Sequence, residues 1–272
     1  MNVFFNDMKI DNFIASEYSL MPVSFDTNIQ EDCDASMASE SIEDYIGISS
    51  IPLDYGSNHH GKLVFVVTFM KKICGSNIEE YFTDFEIRSI LRELTGRQYY
   101  RNLYFINTDL CFDEKVHFKV KTTGTEYIKH FNKIIALKFT FTCDSFWGYT
   151  DTTFIEYYVK SNQIIKFFNS SDELNDYLYP VVEISSKKAI ENFSIVNISD
   201  NNRLTNIKNI LSNELILLDS KNDIIKSSIE NKIFGDDFNY KFPRLIPGMN
   251  KLEFSDECNI KITYQLLRKI IF

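Results

Sequence analysis

Four histidines, five cysteines and 38 acidic side chains are the groups of this 272-residue chain from which chemistry could be built. His59 and His60 sit in a Gly/Ser/Asn loop, where adjacent side chains need not converge on one ion. A zinc site wants three or four ligands, and no third one follows nearby. His117 and His130 stand apart. Asp32, Asp34, Ser36 and Glu43 match positions 1, 3, 5 and 12 of an EF-hand calcium loop. Met37, however, occupies the place where that loop needs glycine, and neither flank reads as a helix. No metal site is expected. The odd cysteine count, without any Cys-x-x-Cys pair, points to free thiols in a reducing compartment. No Gly-x-Ser-x-Gly, phosphate loop or Gly-x-Gly-x-x-Gly is present. Asn192-Phe-Ser194 and Asn197-Ile-Ser199 fit the glycosylation pattern, which has meaning only in a secreted chain. Carboxylate pairs for glycoside hydrolysis arise by chance among so many acids. Trp147, with Phe146 and Tyr149, could stack on a sugar, although a lone Trp at a junction more often packs. No catalytic constellation and no cofactor site emerges, and no enzyme is expected.

Charge is the stronger signal. The chain carries a formal −9, which argues against nucleic-acid binding through a general basic surface. Residues 1–60 hold eleven acids against one base, Lys9, so this stretch is −10 and the remainder is +1. Such a block is ordinarily solvated surface, and otherwise repels an anion or docks on something basic. The N-terminus shows no secretory pattern, and the longest apolar stretch, Leu63 to Met70, is too short for a bilayer span. No membrane association is expected.

The elements that must position these groups read mainly as strands, with some helix. Phe (24) and Tyr (15) are abundant and Ala is scarce. Lys62–Met70 is predicted as a buried strand. Thr83 and Glu86 form a capping box, Phe82 staples onto Ile87, and Ile87, Ile90, Leu91 and Leu94 mark one face of a helix that stops at Gly96. Its other face carries Asp84, Arg88 and Arg92. Strands follow at Leu103–Ile106, Lys115–Lys121 and Ile134–Cys143, the last with Ile135, Leu137, Phe139, Phe141 and Cys143 on one side. The pattern breaks at Asp144–Thr153, which places a boundary between domains 1–148 and 149–272.

The second half reads as a β-sandwich of short strands: Phe154–Val159, Ile164–Phe168, Val181–Ser185, Phe193–Ile198, Glu214–Leu218, Ile224–Lys226, Lys251–Phe254 and Ile260–Tyr264. Ser170-x-x-Glu173 is predicted to cap one helical turn. Pro247-Gly248 makes a turn, and the two strands after it are predicted to close the chain as a hairpin.

Several of these motifs together resemble a known family. Phe4–Phe13, Lys62-Leu-Val-Phe65, Glu86–Gly96 with Tyr99 and Leu103-Tyr-Phe105, Cys143–Gly148, Tyr179–Ile184, the hairpin around Asp219, and Leu245–Asn250 follow one another in matching order. This series resembles the distal tail proteins (Dit type) of long-tailed phages of Gram-positive bacteria, or the equivalent in a phage-derived tail particle. The resemblance implies an N-terminal α+β ring-forming (belt) domain and a C-terminal galectin-like β-sandwich. It further implies a structural protein of the virion tail, made in the bacterial cytoplasm. As a homo-hexamer ring it would join the tail tube protein to the tail-tip or hub protein and carry receptor-binding or fibre proteins. DNA would pass through without being bound. Under this reading Arg88, Arg92, Arg97 and Arg101 are candidate ring contacts. Glu31, Asp32, Asp34, Glu40, Glu43 and Asp44 are their acidic complements or line the lumen. The alternative is a carbohydrate- or receptor-binding module of a tail tip. The C-terminal half has neither His nor Trp, so the galectin sugar pocket is not carried over. The chain also has no room for the inserted carbohydrate-binding module of longer relatives.

Overall fold

In a computed structural model the chain divides into two compact units, Met1–Gly148 with Lys269–Phe272, and Tyr149–Arg268. The structure describes residues 6–23, 40–44, 53–58, 62–72, 81–106 and 115–269, of which 40–44 and 53–58 as backbone alone. The first unit contains β1 (Asp7–Ile10), β2 (Phe13–Ile14), β3 (Leu20–Val23), β4 (Glu40–Asp44), β5 (Leu53–Asn58), β6 (Val64–Lys71), α1 (Asp84–Thr95), β7 (Arg101–Ile106), β8 (Val116–His130) and β9 (Lys133–Cys143). One antiparallel sheet runs in the order β2-β1-β7-β8-β9-β6-β3, while β4 and β5 pair with each other.

Alternation along β6 and β9 turns Phe65, Val67, Phe69, Leu137, Phe139, Phe141 and Cys143 to one face of the sheet. The helix covers that face with Ile87, Ile90 and Leu94, which join the same core. Its capping box forms as predicted: the Glu86 amide donates to Thr83 Oγ1 at 3.3 Å, and Thr83 N–H donates to Glu86 Oε2 at 2.8 Å. Gly96 ends the helix in right-handed geometry (φ −71°), so positive φ is not its reason for being glycine. A Cβ there would lie 2.6 Å from Arg92 O, and it is this close approach that requires glycine.

β8 runs well beyond the predicted Lys115–Lys121. The ladder with β9 continues through register shifts at Thr122/Gly124 and Ile128/Lys129, down to His130 opposite Lys133. The two-residue connection places Phe131 (φ 45°) and Asn132 (φ 64°) both in the left-handed region. That is the geometry of a hairpin turn that favours Asn-Gly. For a bulky residue such as Phe131 it costs about 1–2 kcal/mol.

The second unit opens from β10 (Gly148–Thr150) and contains β11 (Thr153–Val159), β12 (Gln163–Asn169), β13 (Val181–Ser185), β14 (Ile190–Asn197), β15 (Arg203–Ile210), β16 (Leu215–Asp219), β17 (Ile224–Ser227), β18 (Gly248–Phe254), β19 (Cys258–Tyr264) and β20 (Leu267–Arg268). Apart from β10 and β20, which pair with each other, these strands form two sheets, β11-β19-β13-β16-β17 and β12-β18-β14-β15, that enclose one core. The unit is a β-sandwich, and the protein as a whole is mainly β with one α-helix among its described residues.

Three expectations change here. The last two long strands do not form a hairpin: β18 pairs with β12 and β14, whereas β19 pairs with β11 and β13 in the opposite sheet. Leu252 and Phe254 meet Ile260 and Ile262 across the core, and Ser255-Asp256-Glu257 crosses between sheets. No helical turn forms after Ser170, because Ser171 Oγ accepts the Glu173 amide in a local turn instead. Finally, β15 is a strand the sequence reading did not contain.

The Pro247-Gly248 turn does form, with Gly248 at φ 83° as a type II turn requires. Asn250, wholly buried, holds it: its side chain donates to Ile246 O (2.8 Å) and Gly248 O (3.1 Å) and accepts from Ile246 N–H (2.9 Å).

Candidate functional site

The exposed side of α1 is built by the same periodicity that buries the other. Phe85, Arg88 and Arg92 fall at i, i+3 and i+7, one stripe pointing away from the sheet. Phe85 is 82% exposed. Arg88 and Arg92 are exposed, and neither has a carboxylate partner among the described residues. Arg97 lies exposed just past the helix end, its guanidinium donating to Tyr99 Oη at 2.5 Å. That hydrogen bond, and the charge of Tyr99 behind it, raise the Arg97 pKa above its ordinary value.

Arg101 does not join them. It is buried on β7 and donates to Glu93 O (2.5 Å) and Leu94 O (2.6 Å), while Thr122 Oγ1 also donates to Leu94 O (2.6 Å). The last carbonyls of a helix lack partners of their own, and this guanidinium supplies them. Burial lowers its pKa below the ordinary arginine value. As a ring contact Arg101 is therefore withdrawn: it closes the helix onto the sheet. The sequence signal was available, because an Arg five residues past a helix stop is well placed to turn back on the last carbonyls.

At the other end of α1 the hairpin tip of β8–β9 meets the helix start. Phe82 N–H donates to Ile134 O at 2.8 Å, and Lys133 Nζ lies 3.8 Å from the centre of the Tyr81 ring. Lys71 Nζ pairs with Glu86 Oε1 at 2.7 Å. Burial would raise the Glu86 carboxyl, but the Lys71 ammonium and the Thr83 donors outweigh it and hold the group below the usual range.

Of the acidic candidates, Glu31, Asp32 and Asp34 lie outside the described residues, as do His59 and His60. Glu40, Glu43 and Asp44 lie on β4, where the register sets Glu43 opposite Asp54 on β5. The calcium-loop pattern is thus split, with Glu43 on a strand. Among the described residues no group of three or more His, Cys, Asp or Glu is placed to hold a metal. His117 is buried with its ring 5.0 Å from Tyr104, and His130 is exposed at the tip. Trp147 is 9% exposed and offers no open stacking face. Cys143 and Cys258 are free, buried thiols. Burial first, then the neighbouring Asp144 and Asp256 charges, push them up to about 12.

On the sandwich, the outer face of the β11-β19-β13-β16-β17 sheet carries a groove of about 400 Å³. Register lines up Glu156, Lys261 and Glu183 across three strands, and Lys261 Nζ pairs with Glu183 Oε1 at 3.1 Å. Tyr158 and Asn259 stand opposite each other beside that row. Nothing here pairs a nucleophile with a base.

Two family descriptions match the chain: a phage tail protein N-terminal domain over residues 4–145, and a phage tail C-terminal domain over residues 147–264. No curated protein matches it. Among solved structures, the Dit (gp 19.1) protein of phage SPP1, described as a paradigm of the hub adsorption apparatus in phages infecting Gram-positive bacteria, aligns with a TM-score of 0.66 at 10% sequence identity. That alignment covers 96% of this chain and 98% of the SPP1 chain. A chain of the phage p2 baseplate in its activated conformation with Ca aligns at TM-score 0.46 and 9% identity, covering 97% and 99%. At such identity the SPP1 likeness is one of fold, and the fold of this protein is Dit-like. Since the N-terminal description alone spans more than half of the sequence, the chain belongs to the phage tail proteins.

Proposed function

We propose that this protein is the subunit of a hub ring at the distal end of a phage tail. Six copies join the tail tube on one side to the tail-tip protein on the other and present the sandwich units to receptor-binding or fibre proteins. The observation that carries this reading is the likeness along 96% of the chain to a protein described as a hub. The exposed arginines Arg88, Arg92 and Arg97 support it, the first two without a carboxylate partner among the described residues. A cyclic ring needs two different complementary patches on each subunit, and the acid-rich residues 1–60 provide the opposite charge. Acidic groups facing a lumen also repel passing DNA, which keeps it from sticking. The role is structural, and no catalysis is assigned. Native mass spectrometry tests it: hexamers are expected from the wild type and smaller species from the triple variant Arg88→Glu, Arg92→Glu, Arg97→Glu. Normal hexamers from the triple variant would overturn the charge pairing, and a wild type monomeric at every concentration would overturn the ring.

A second reading, a saccharide-binding module, has one observation in its favour. The polar groove at Glu156, Glu183, Asn259 and Lys261 is flanked by Phe154 (59% exposed) and Tyr158 (58% exposed), rings that suit stacking on a sugar. Saturation-transfer NMR with glucose, galactose and N-acetylglucosamine oligosaccharides separates the two, since the hub reading expects no transfer.

A further inference from the structure

We infer that Phe131, at the tip of the β8–β9 hairpin, and Phe85, in the first turn of α1, are the apolar anchors of the contact between copies. They seat on the β4–β5 strand pair of a second copy; the inference rests on the ring reading above. Among the described residues these are the two most exposed aromatic side chains, at 88% and 82%. They belong to one corner of the unit, because Phe82 N–H donates to Ile134 O and Lys133 lies over Tyr81, which ties the hairpin tip to the helix start. From that corner the surface continues along α1 to Arg88 and Arg92. Exposed aromatics beside unpaired arginines are the composition of an interface centre, since Trp, Tyr and Arg lead among residues whose truncation weakens binding and aromatics are enriched there.

The backbone adds an independent observation. Phe131 occupies a left-handed position (φ 45°) that Asn or Gly would occupy without strain, yet its ring covers little of its own unit. Strain without an internal packing gain points to a function outside the subunit. Charge selects the occupant. The corner carries the exposed bases Lys129, Lys133, Arg88 and Arg92 against the exposed acid Asp84 of the first helix turn. The strands β4 (ESIED) and β5 (LDYGSN) carry Glu40, Glu43, Asp44 and Asp54 without any base. Their register sets Glu43 directly opposite Asp54, so two acidic positions fall side by side on the strand pair.

The test pairs a substitution with a photo-crosslink. Phe131→Asn suits the turn better, so its thermal midpoint is expected to hold or rise while the dissociation constant for self-association weakens at least tenfold. With p-benzoylphenylalanine at position 131, the adduct is expected on β4 or β5 of another copy. Association unchanged in Phe131→Asn would overturn the anchor while leaving the ring reading intact. A lower thermal midpoint in that variant would assign Phe131 to internal packing and overturn it as well. An adduct elsewhere on a second copy, or on a different tail protein, would overturn the proposed seat. A wild type that never self-associates would instead remove the ring reading on which all of this depends.

Discussion

Glu214 shows how little of this molecule's polar chemistry is left over for reaction. Its side chain is wholly buried, yet it accepts from Lys232 Nζ (2.8 Å), Ser227 Oγ (2.5 Å) and the Leu211 amide (2.7 Å). Burial pushes its pKa up, but these donors together outweigh it and leave the carboxyl below its ordinary value. Such a group is ionised in the folded state at a pH where the unfolded chain would bind a proton. Its stabilisation is therefore complete above the unfolded pKa and is lost as pH falls through the folded one. Glu86 behaves in the same direction. Chemical denaturation between pH 7 and pH 3 should show stability falling in the acid limb, and Glu214→Ala should remove about 3 kcal/mol at pH 7 by leaving Lys232 without its partner. The two described cysteines make a simpler case. With thiols pushed up to about 12, Cys143 and Cys258 should stay unmodified by iodoacetamide at pH 8 in the native protein and react fully in denaturant, as read by peptide mass spectrometry.

At the scale of elements, α1 is the piece on which the packing of the first unit turns and, under the proposed ring, its assembly as well. Arg101 and Thr122 close its C-terminal end, so Arg101→Ala should cost about 2–3 kcal/mol in urea unfolding, whereas Arg88→Ala, exposed and unpaired, should stay within about 0.5 kcal/mol of wild type. This helix was readable because its signals are local: a capping box three residues wide and an apolar face repeating within one window. β9 was readable for the same reason, through strict alternation from Ile135 to Cys143. β15 (RLTNIKNI) escaped because Asn206 and Asn209 interrupt its apolar run, and Asn209 sits at φ 56°. The far half of β8 escaped because Thr122-Thr-Gly-Thr125 looks like a loop, and only pairing with β9 makes it a strand. The supposed closing hairpin shows the limit most clearly. Period-2 patterning states that β18 and β19 are each half-buried, but not whether they share a sheet or face each other across a core. Phe85 had a usable signal, an aromatic three residues before Arg88 on the polar stripe. Phe131 had none until its hairpin was known.

For the whole molecule the separation of charge matters more than its total. An N-terminal stretch of −10 and a remainder of +1 on one chain are suited to meeting head to tail, patch against different patch. If that complementarity drives assembly, self-association should weaken as salt rises from 0.05 to about 0.5 M, where screening shortens to a few ångströms. Light scattering across that range reads the effect, and an association that strengthens with salt would point to apolar contacts alone. The family assignment is to phage tail proteins. The central claim, a ring subunit between tube and tip, is tested most directly by electron cryo-microscopy of the assembled tail. Six copies around the axis, with the Phe85–Arg92 face of one against the neighbouring copy, are the expected result. Copies found only off the axis, in fibres or decorations outside a ring made by another protein, would contradict it.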